Sequence, residues 1–472
     1  MRKNSIFIIN NITYSSSLHG GITILEYLRK HLHLTGVKEG CREGDCGACL
    51  ILLGELVGSN VIYKQVNSCL IPLGDADGKH IVTIEGLNHE ITNTIQELFV
   101  DETATQCGFC TPGFIVSLTG YLLNNTSYTY PDAVSSMDGN ICRCTGHYPI
   151  KKVAAKLTEK YKGSGSGNKV EYLINNNFIP SYFRIIPSAL KKISKPPRKN
   201  IPSPGGIVVS GGTDLYVQKW DSLQENDVTL IYENPLLKGI RKSGKKISIG
   251  GVVTVEELKS SKIISSIFTE FPRFLTLFAS TPIRNRATVA GNIVNASPIG
   301  DLTNIFLALD SSVKLINSKG KIRSVKLNKF FKNYKVLEKK KNEYVLEINF
   351  KIPEANYFFN FEKVSRRTYL DIATVNSSAL FILNNGIIVS ANISAGGVAP
   401  VPRYLEKTCS FLKGKELTGD VVRQSVVIAR NEISPIDDVR GSAEYKRLLL
   451  GQLIYSHFLK INSEIIKPES IL

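Results

Sequence analysis

The sequence predicts an α+β protein of several domains, and three observations carry that prediction. The chain has 472 residues, too many for one compact core, so about three or four units of ordinary size are expected. Strand-like segments fill the first 84 residues, vanish from 85 to 161 and return after 207. The flexible stretch Lys162–Lys169 (KGSGSGNK) and a change of pattern near Pro353–Tyr357 mark the junctions. The expected organisation is therefore 1–84, 85–161, a linker at 162–170, 171–354 and 355–472.

Within the front segment, Ser5–Asn10 reads as a strand, and Thr23 with Glu26 reads as a capping box. It opens a helix that places Ile24, Leu25, Leu28 and Leu32 on one face. Strands around 48–53, 61–68 and 80–84 complete a small mixed sheet. Thr111 and Pro112 start a helix with Phe114, Ile115, Leu118 and Leu122 on one side, and Tyr148–Tyr161 is helical. After Pro353, Val375–Leu383 and Gly386–Ser394 form a hairpin joined by Asn384 and Asn385, and helices are expected over Val421–Asn431 and Ser442–Ile461.

Composition excludes several classes. The net charge is +17, but the lysines are dispersed and no nucleic-acid-binding motif accompanies them, so a lysine-rich surface is the simpler account. No apolar run approaches the roughly 20 residues of a membrane span. After Arg2 and Lys3 the apolar run Ile6–Ile9 stops at Asn10, unlike an export signal, so a soluble cytoplasmic protein is expected.

Eight of the nine cysteines carry the chemistry. Cys41, Cys46, Cys49 and Cys69 write CxxxxCxxC with a distant fourth member, and Cys107, Cys110, Cys142 and Cys144 write CxxC followed by CxC. A [2Fe-2S] cluster needs four thiolates, two on each tetrahedral iron, so two quartets imply two clusters. The first spacing is that of plant-type ferredoxins. Gly40, Gly44 and Gly47 let its loop curl so that amide N–H groups point at sulfur. A disulfide framework is disfavoured by the lack of an export signal. Zinc stays open for the second quartet, although a CxC pair is unusual for structural zinc. Cys409 stands apart and reads as a buried free thiol.

Past the linker, Ile207–Leu215 (IVVSGGTDL) is an apolar strand running into a Gly-Gly turn and a helical stretch. Such a turn can offer N–H groups to a pyrophosphate, though taken alone a Gly-Gly pair after a strand is more often a plain turn. Thr288–Asp301 adds small and polar residues fit to line a cofactor groove. GxGxxG is found at neither place, which argues against a conventional dinucleotide domain.

Over nearly its whole length the chain resembles the molybdenum hydroxylases, in particular those family chains that carry iron–sulfur and flavin together. The motifs occur in fixed order: KEGCREGDCGACL with Asn67-Ser68-Cys69-Leu70; GKHIVTIEGL; QCGFCTPGF and GNICRCTGHYPI; SGGTDL; IRNRATVAGNIVNASPIGD; and FEKVSRRTYLDIATVNSSA, SAGGVAP and VRGSAEYKRLLL. The resemblance implies a ferredoxin-like β-grasp domain, a helical [2Fe-2S] domain, an α+β FAD-binding domain of the vanillyl-alcohol-oxidase (PCMH) type and a small C-terminal α+β domain. It implies FAD on Ile207, Val208, Val209, Ser210, Gly211, Gly212, Thr213 and Asp214, with backbone donors and the Thr213 hydroxyl on the pyrophosphate and ribityl chain. Phe278 matches the position near the adenine end. Thr288, Gly291, Asn292, Val294, Ser297 and Asp301 match the second lining segment, and Lys363 matches a further contact. Read singly, Thr213 and Asp301 are also ordinary helix caps, and Phe278 an ordinary core residue. Ala290 replaces a second glycine of the motif, and an alanine at positive φ would be strained by about 1 kcal/mol.

The resemblance further implies a converter. Electrons would enter from a molybdenum cofactor, pass the helical-domain cluster and then the ferredoxin-like cluster, and reach FAD, with NAD+ as acceptor. Because the sequence stops at 472 without a molybdopterin-binding region, a molybdenum-binding large subunit is the expected partner, the pair doubled into a heterotetramer. The competing expectations are a related hydroxylase of aldehydes, nicotinate or carbon monoxide, and a non-catalytic interaction protein with a cysteine-rich module.

Overall fold

The computed structural model describes residues 4–88, 92–125, 128–161, 167–194, 200–203, 205–353 and 356–461. The chain divides into two compact units. The first takes Met1–Pro197, Gly205–Glu233 and Ser280–Arg286, and the second takes Arg198–Pro204, Asn234–Ala279 and Ala287–Leu472. The segment expected as one FAD-binding domain, 171–354, therefore contributes to both units.

The first unit is built on a five-stranded mixed sheet in the order β2-β1-β5-β3-β4, with β1 Ser5–Ile9, β2 Ile12–Ser16, β3 Leu50–Val57, β4 Asn60–Asn67 and β5 His80–Val82. Only the β1–β5 pair is parallel. Side chains alternate across a strand, and β3 is apolar on both sides because both faces are covered. Leu50 and Leu52 join the helical core of Phe114, Leu118, Tyr121, Val153 and Leu157. Ile51 and Leu53 join Phe7, Ile24, Leu28, Val66, Val209 and Leu223. Strand β2 was not anticipated, since it is a polar edge strand with a mostly exposed pattern that leaves no alternation to read.

From 94 to 160 the described chain is helical, with helices Thr94–Asp101, Thr111–Asn124, Tyr130–Ser135 and Tyr148–Lys160, as the loss of strand signal predicts. At Thr23 only half of the capping box forms. Thr23 Oγ1 accepts from Glu26 N at 3.1 Å, while the Glu26 carboxylate bonds Lys30 Nζ at 2.6 Å and Gln224 Nε2 at 2.8 Å. The helix then widens into a π-turn over Tyr27–His31. Of the linker, 162–166 lies outside the described residues. Its end is not linker but a helix start: Asn168 caps Lys169–Asn175, its side chain accepting from Val170 N at 3.0 Å. The unit is completed by β6 Ile207–Val209, which pairs in parallel with β7 Val228–Leu230.

The second unit holds a sheet ordered β11-β10-β14-β9-β8, from β8 Ile240–Ser243, β9 Lys246–Gly250, β10 Ser312–Asn317, β11 Ile322–Lys326 and β14 Glu343–Lys351. The short pair β12 Phe331–Asn333 and β13 Val336–Leu337 lies between the last two in sequence. A second sheet, β15-β16-β17-β18, comprises Tyr357–Val364, Val375–Asn384, Ile387–Gly396 and Arg403–Tyr404. Helices Glu406–Leu412, Gly419–Glu432 and Ala443–Ile461 bury this sheet's apolar face. The expected hairpin is present, but its turn residues are Asn385 and Gly386, at φ +49° and +79°. That pair of left-handed residues suits a tight turn matched to strand twist. Ala290 is not strained, because it lies inside the helix Val289–Asn295; the left-handed residue there is Ala296, at φ +52°. Among the described residues no helix is long and apolar enough to cross a membrane.

Candidate electron-transfer centres

Strand pairing assembles the first quartet. Cys49 ends the loop that enters β3, and Cys69 sits in the 3-10 turn Ser68–Leu70 after β4. The ladder sets Leu50 opposite Asn67, which brings Cys49 Sγ to 3.4 Å from Cys69 Sγ. The Ser68 hydroxyl donates to Cys49 O at 2.7 Å and locks the junction. The loop carrying Cys41 and Cys46 turns through left-handed Arg42, Gly44 and Gly47. Glu43 N donates to Cys41 Sγ at 3.3 Å. The Cys46 contact, against burial and with the N–H groups of Glu43, Asp45 and Cys46, holds the Cys41 thiol down to about 5. The same contact and burial push Cys46 up. Cys49 and Cys69 form a like pair, Cys49 lowered and Cys69 raised by their mutual hydrogen bond. A Cβ at Gly40 would stand 2.8 Å from Cys46 Sγ, so glycine leaves the space the sulfur needs.

The second quartet sits among helix ends. Cys110 caps the helix Thr111–Asn124, and Cys142 and Cys144 precede the helix Tyr148–Lys160. Cys107 and Cys144 lie 3.5 Å apart, Sγ to Sγ. Burial, then Cys142, push Cys110 up to about 12. Against burial, which raises it, the Thr145 hydroxyl and N–H, 3.1 and 3.5 Å from Cys142 Sγ, lower Cys142. Cys142 N–H donates to His147 Nε2 at 3.2 Å, which fixes the proton of a neutral imidazole on Nδ1.

At both sites the thiols meet two and two. A two-iron cluster asks for two ligands per iron, whereas a zinc site asks for four around one ion. No three His, Cys, Asp or Glu side chains among the described residues converge on a single-ion site. The paired donors, with N–H groups aimed at sulfur, fit [2Fe-2S] centres.

Backbone contacts join the two quartets. Ile141 N–H, one residue before Cys142, donates to Cys46 O at 3.1 Å, and Asn140 Nδ2 donates to Gly47 O at 3.4 Å. A Cβ at Gly47 would lie 2.4 Å from Gly139 O, and one at Gly113 would lie 2.3 Å from Gly47 O. The sequence reading passed over Gly113 and Asn140, since nothing in their local pattern announces what they touch. Cys409 belongs to neither quartet. It is buried in the second unit, accepts from Ile393 N at 3.1 Å, and burial raises it to about 12.

The glycine turn lies in the first unit. Strand β6 ends at Val209, Gly212 takes φ +85°, and a one-turn helix follows at Leu215–Gln218. Ile207, Val208, Ser210, Thr213 and Asp214 are half-buried, while Val209, Gly211 and Gly212 are buried. The other flavin candidates lie in the second unit. Thr288 is a helix cap, Oγ1 accepting from Gly291 N at 3.1 Å. Asn292 accepts from the Thr303 hydroxyl at 3.5 Å, and Ser297 from Ile299 N at 3.3 Å. Phe278 and Val294 are half-buried. Asp301 opens the helix Asp301–Ala308, and both of its carboxylate oxygens have protein partners: Lys363 Nζ at 2.7 Å and Asn376 Nδ2 at 2.5 Å. Lys363 also donates to Leu277 O at 2.8 Å, so it ties the Phe278 segment to Asp301. Asn376 was missed, because an asparagine inside a buried strand carries no motif.

Two cysteine centres on a sheet-plus-helix module, followed by two α+β modules, define the class as an iron–sulfur flavoprotein. Family models match in chain order: a 2Fe-2S iron-sulfur cluster binding domain over 10–74, a [2Fe-2S] binding domain over 83–155, an FAD binding domain in molybdopterin dehydrogenase over 181–354, and a CO dehydrogenase flavoprotein C-terminal domain over 360–461. The chain belongs to the molybdenum hydroxylase family, as an iron–sulfur and FAD electron-transfer part. It is 28% identical over 532 residues to xanthine dehydrogenase 1 of Arabidopsis thaliana, covering 96% of this chain and 39% of that protein. It is 28% identical over 500 residues to xanthine dehydrogenase/oxidase of Rattus norvegicus, covering 93% and 37%. The chain thus spans well under half the length of these relatives. Among solved structures, carbon monoxide dehydrogenase from Hydrogenophaga pseudoflava superposes with TM-score 0.50 at 26% identity, over 55% of this chain and 96% of that one. Quinoline 2-oxidoreductase from Pseudomonas putida 86 shares the fold at TM-score 0.51 and 21% identity, over 58% and 99%.

Proposed function

We propose that this chain is the electron-transfer part of a xanthine dehydrogenase, passing electrons from a molybdenum cofactor on a partner chain to NAD+ and so supporting hydroxylation of hypoxanthine and xanthine to urate. Bound at the sites described, [2Fe-2S] centres carry single electrons and FAD stores two and releases them as a hydride. The observation that carries the electron relay in this reading is the Ile141 N–H to Cys46 O hydrogen bond, which links the backbone beside one quartet directly to a proposed ligand of the other. A Cβ at Gly212 would stand 2.9 Å from Leu70 O, so the glycine turn backs onto the residue next to Cys69. These contacts support the order helical-domain quartet, ferredoxin-like quartet, glycine turn.

Residues Ile207–Asp214 supply N–H groups and the Thr213 hydroxyl for the flavin's pyrophosphate and ribityl chain. Phe278, Thr288, Gly291, Asn292, Val294, Ser297 and Asp301 are proposed as further flavin contacts from their match to the family's second lining segment, with Lys363 orienting Asp301. Each Asp301 oxygen keeps a second lone pair for a cofactor hydroxyl. The partner chain meets the second quartet, where Cys107 and Cys144 are exposed beside Phe109 and Ile141, 45% and 43% exposed. Two such pairs make the heterotetramer, in the cytoplasm. A second reading, the same role in a hydroxylase of another substrate, is favoured by the likeness to carbon monoxide dehydrogenase.

NADH titration of the purified chain tests the acceptor: rapid bleaching of a flavin band is expected, and no reaction would sink the NAD+ linkage. Metal analysis of the native complex should find molybdenum on a second chain, and a complex without one would remove the partner. Xanthine turnover by that complex separates the two readings.

A further inference from the structure

Arg286 is a buried charge that neither the quartets nor the glycine turn requires by motif. Its side chain is 2% exposed, and its donors are divided. Nη2 donates to Asp75 Oδ2 at 2.5 Å, Nε donates to Gly211 O at 3.3 Å, and the guanidinium lies 3.7 Å from the centre of the Tyr232 ring. Nη1 is buried with no protein partner. Asp75 is itself buried, in the 3-10 turn Leu73–Ala76 that follows Cys69 within a few residues. At the next residue of the Gly-Gly turn, a Cβ on Gly212 would stand 2.9 Å from Leu70 O, too close for a side chain to intervene. The turn thus touches both the Arg286 fork, at Gly211, and the backbone next to Cys69, at Gly212.

We propose that Arg286, anchored by Asp75, is a positioning residue that fixes the flavin-binding turn against the first iron–sulfur centre and so sets the rate of electron exchange between that centre and the flavin. The inference rests on reading 207–214 as a flavin site. Electron transfer weakens steeply with separation, so a turn free to drift would slow this one step and leave exchange between the two clusters untouched. The planar fork sends Nη2 to the Asp75 carboxylate and Nε to Gly211 O from two separate atoms of one rigid group, a geometry that the single ammonium of a lysine does not reproduce.

The test uses the full chain with its cofactors and compares wild type, Arg286→Lys and the double variant Asp75→Leu/Arg286→Met, which removes the buried pair together rather than orphaning one charge. Iron content, the two cluster EPR signals, flavin content and the rate of flavin-to-cluster equilibration after flash reduction are measured. The expected result is full iron, both EPR signals intact, weaker flavin retention and several-fold slower equilibration in both variants. Flavin-loaded variants that equilibrate at the wild-type rate would overturn the inference alone. Loss of iron together with flavin in both variants would mark a general strut and overturn it as well. A wild-type chain that binds no flavin would overturn both the flavin reading and the inference.

Discussion

The two cysteine quartets differ in their most extreme pair, since each also holds at least one half-buried thiol and the second has Cys142 buried. In the first, Cys49 and Cys69 are 2% and 6% exposed and lie in the apolar core beneath the sheet. In the second, Cys107 and Cys144 are exposed at helix ends. On the proposed reading each quartet holds a one-electron carrier, and burial decides what each can reach: the buried Cys49–Cys69 side faces groups built against it, and the exposed Cys107–Cys144 side is open to another chain.

Removing a ligand should break the comparison most. Cys49→Ala and Cys107→Ala should each lower iron from about four to about two per chain and abolish a different EPR signal. Only Cys49→Ala should also lower the unfolding midpoint markedly, because it opens the core. Both variants losing the same signal would refute two separate centres. Gly47→Ala comes next. At φ +68° and with Gly139 O at 2.4 Å from the added Cβ, it should cost about 2 kcal/mol in urea unfolding and weaken the magnetic coupling between the clusters.

A smaller effect is expected with pH, and it falls on the scaffold of the enclosed centre. His80 accepts from Tyr63 OH at Nδ1 and donates from Nε2 to Asn10 O, both at 2.8 Å, and burial holds it neutral, at about 4. Its folded value is depressed, so its contribution is whole above the ordinary value near 6.5 and is lost as pH falls toward 4, by about 1.4 kcal/mol per pH unit. Urea midpoints between pH 7 and pH 5 should fall accordingly, and His80→Gln should flatten the slope; an unchanged slope would place the titration elsewhere. His457, bonded to Asn360 and Ser377 and likewise held at about 4, predicts the same sign for the second unit. The smallest effect is expected for Arg42→Gln, which removes a cation–π contact at 4.6 Å from Trp220 beside the first loop and should cost about 0.5–1 kcal/mol with both EPR signals kept.

The quartets, most helices and the Gly-Gly turn were legible because they depend on spacing along the chain, such as CxxC before Thr111-Pro112 or a strand ending at Gly211-Gly212. Strand β2 was not legible, because an exposed edge strand need not alternate. The turn of the β16–β17 hairpin was misplaced by one residue, because Asn384, Asn385 and Gly386 all suit turns and only the strand register chooses among them. The strain expected at Ala290 was absent, because the glycine it replaces in the motif need not sit at positive φ once a helix forms there.

By itself the sequence determined the chemistry: eight thiols in two spacings, a glycine turn after a strand, and no nucleic-acid or membrane signature. Only the tertiary structure decided which thiols pair, that Cys46 O meets Ile141 N–H, and that Arg286 reaches from its own segment to both Asp75 and Gly211. The physical reason is range. Ligand type and loop conformation are fixed by neighbours along the chain, whereas a hydrogen bond between residues 95 positions apart, or 211, exists only once the core has closed around it.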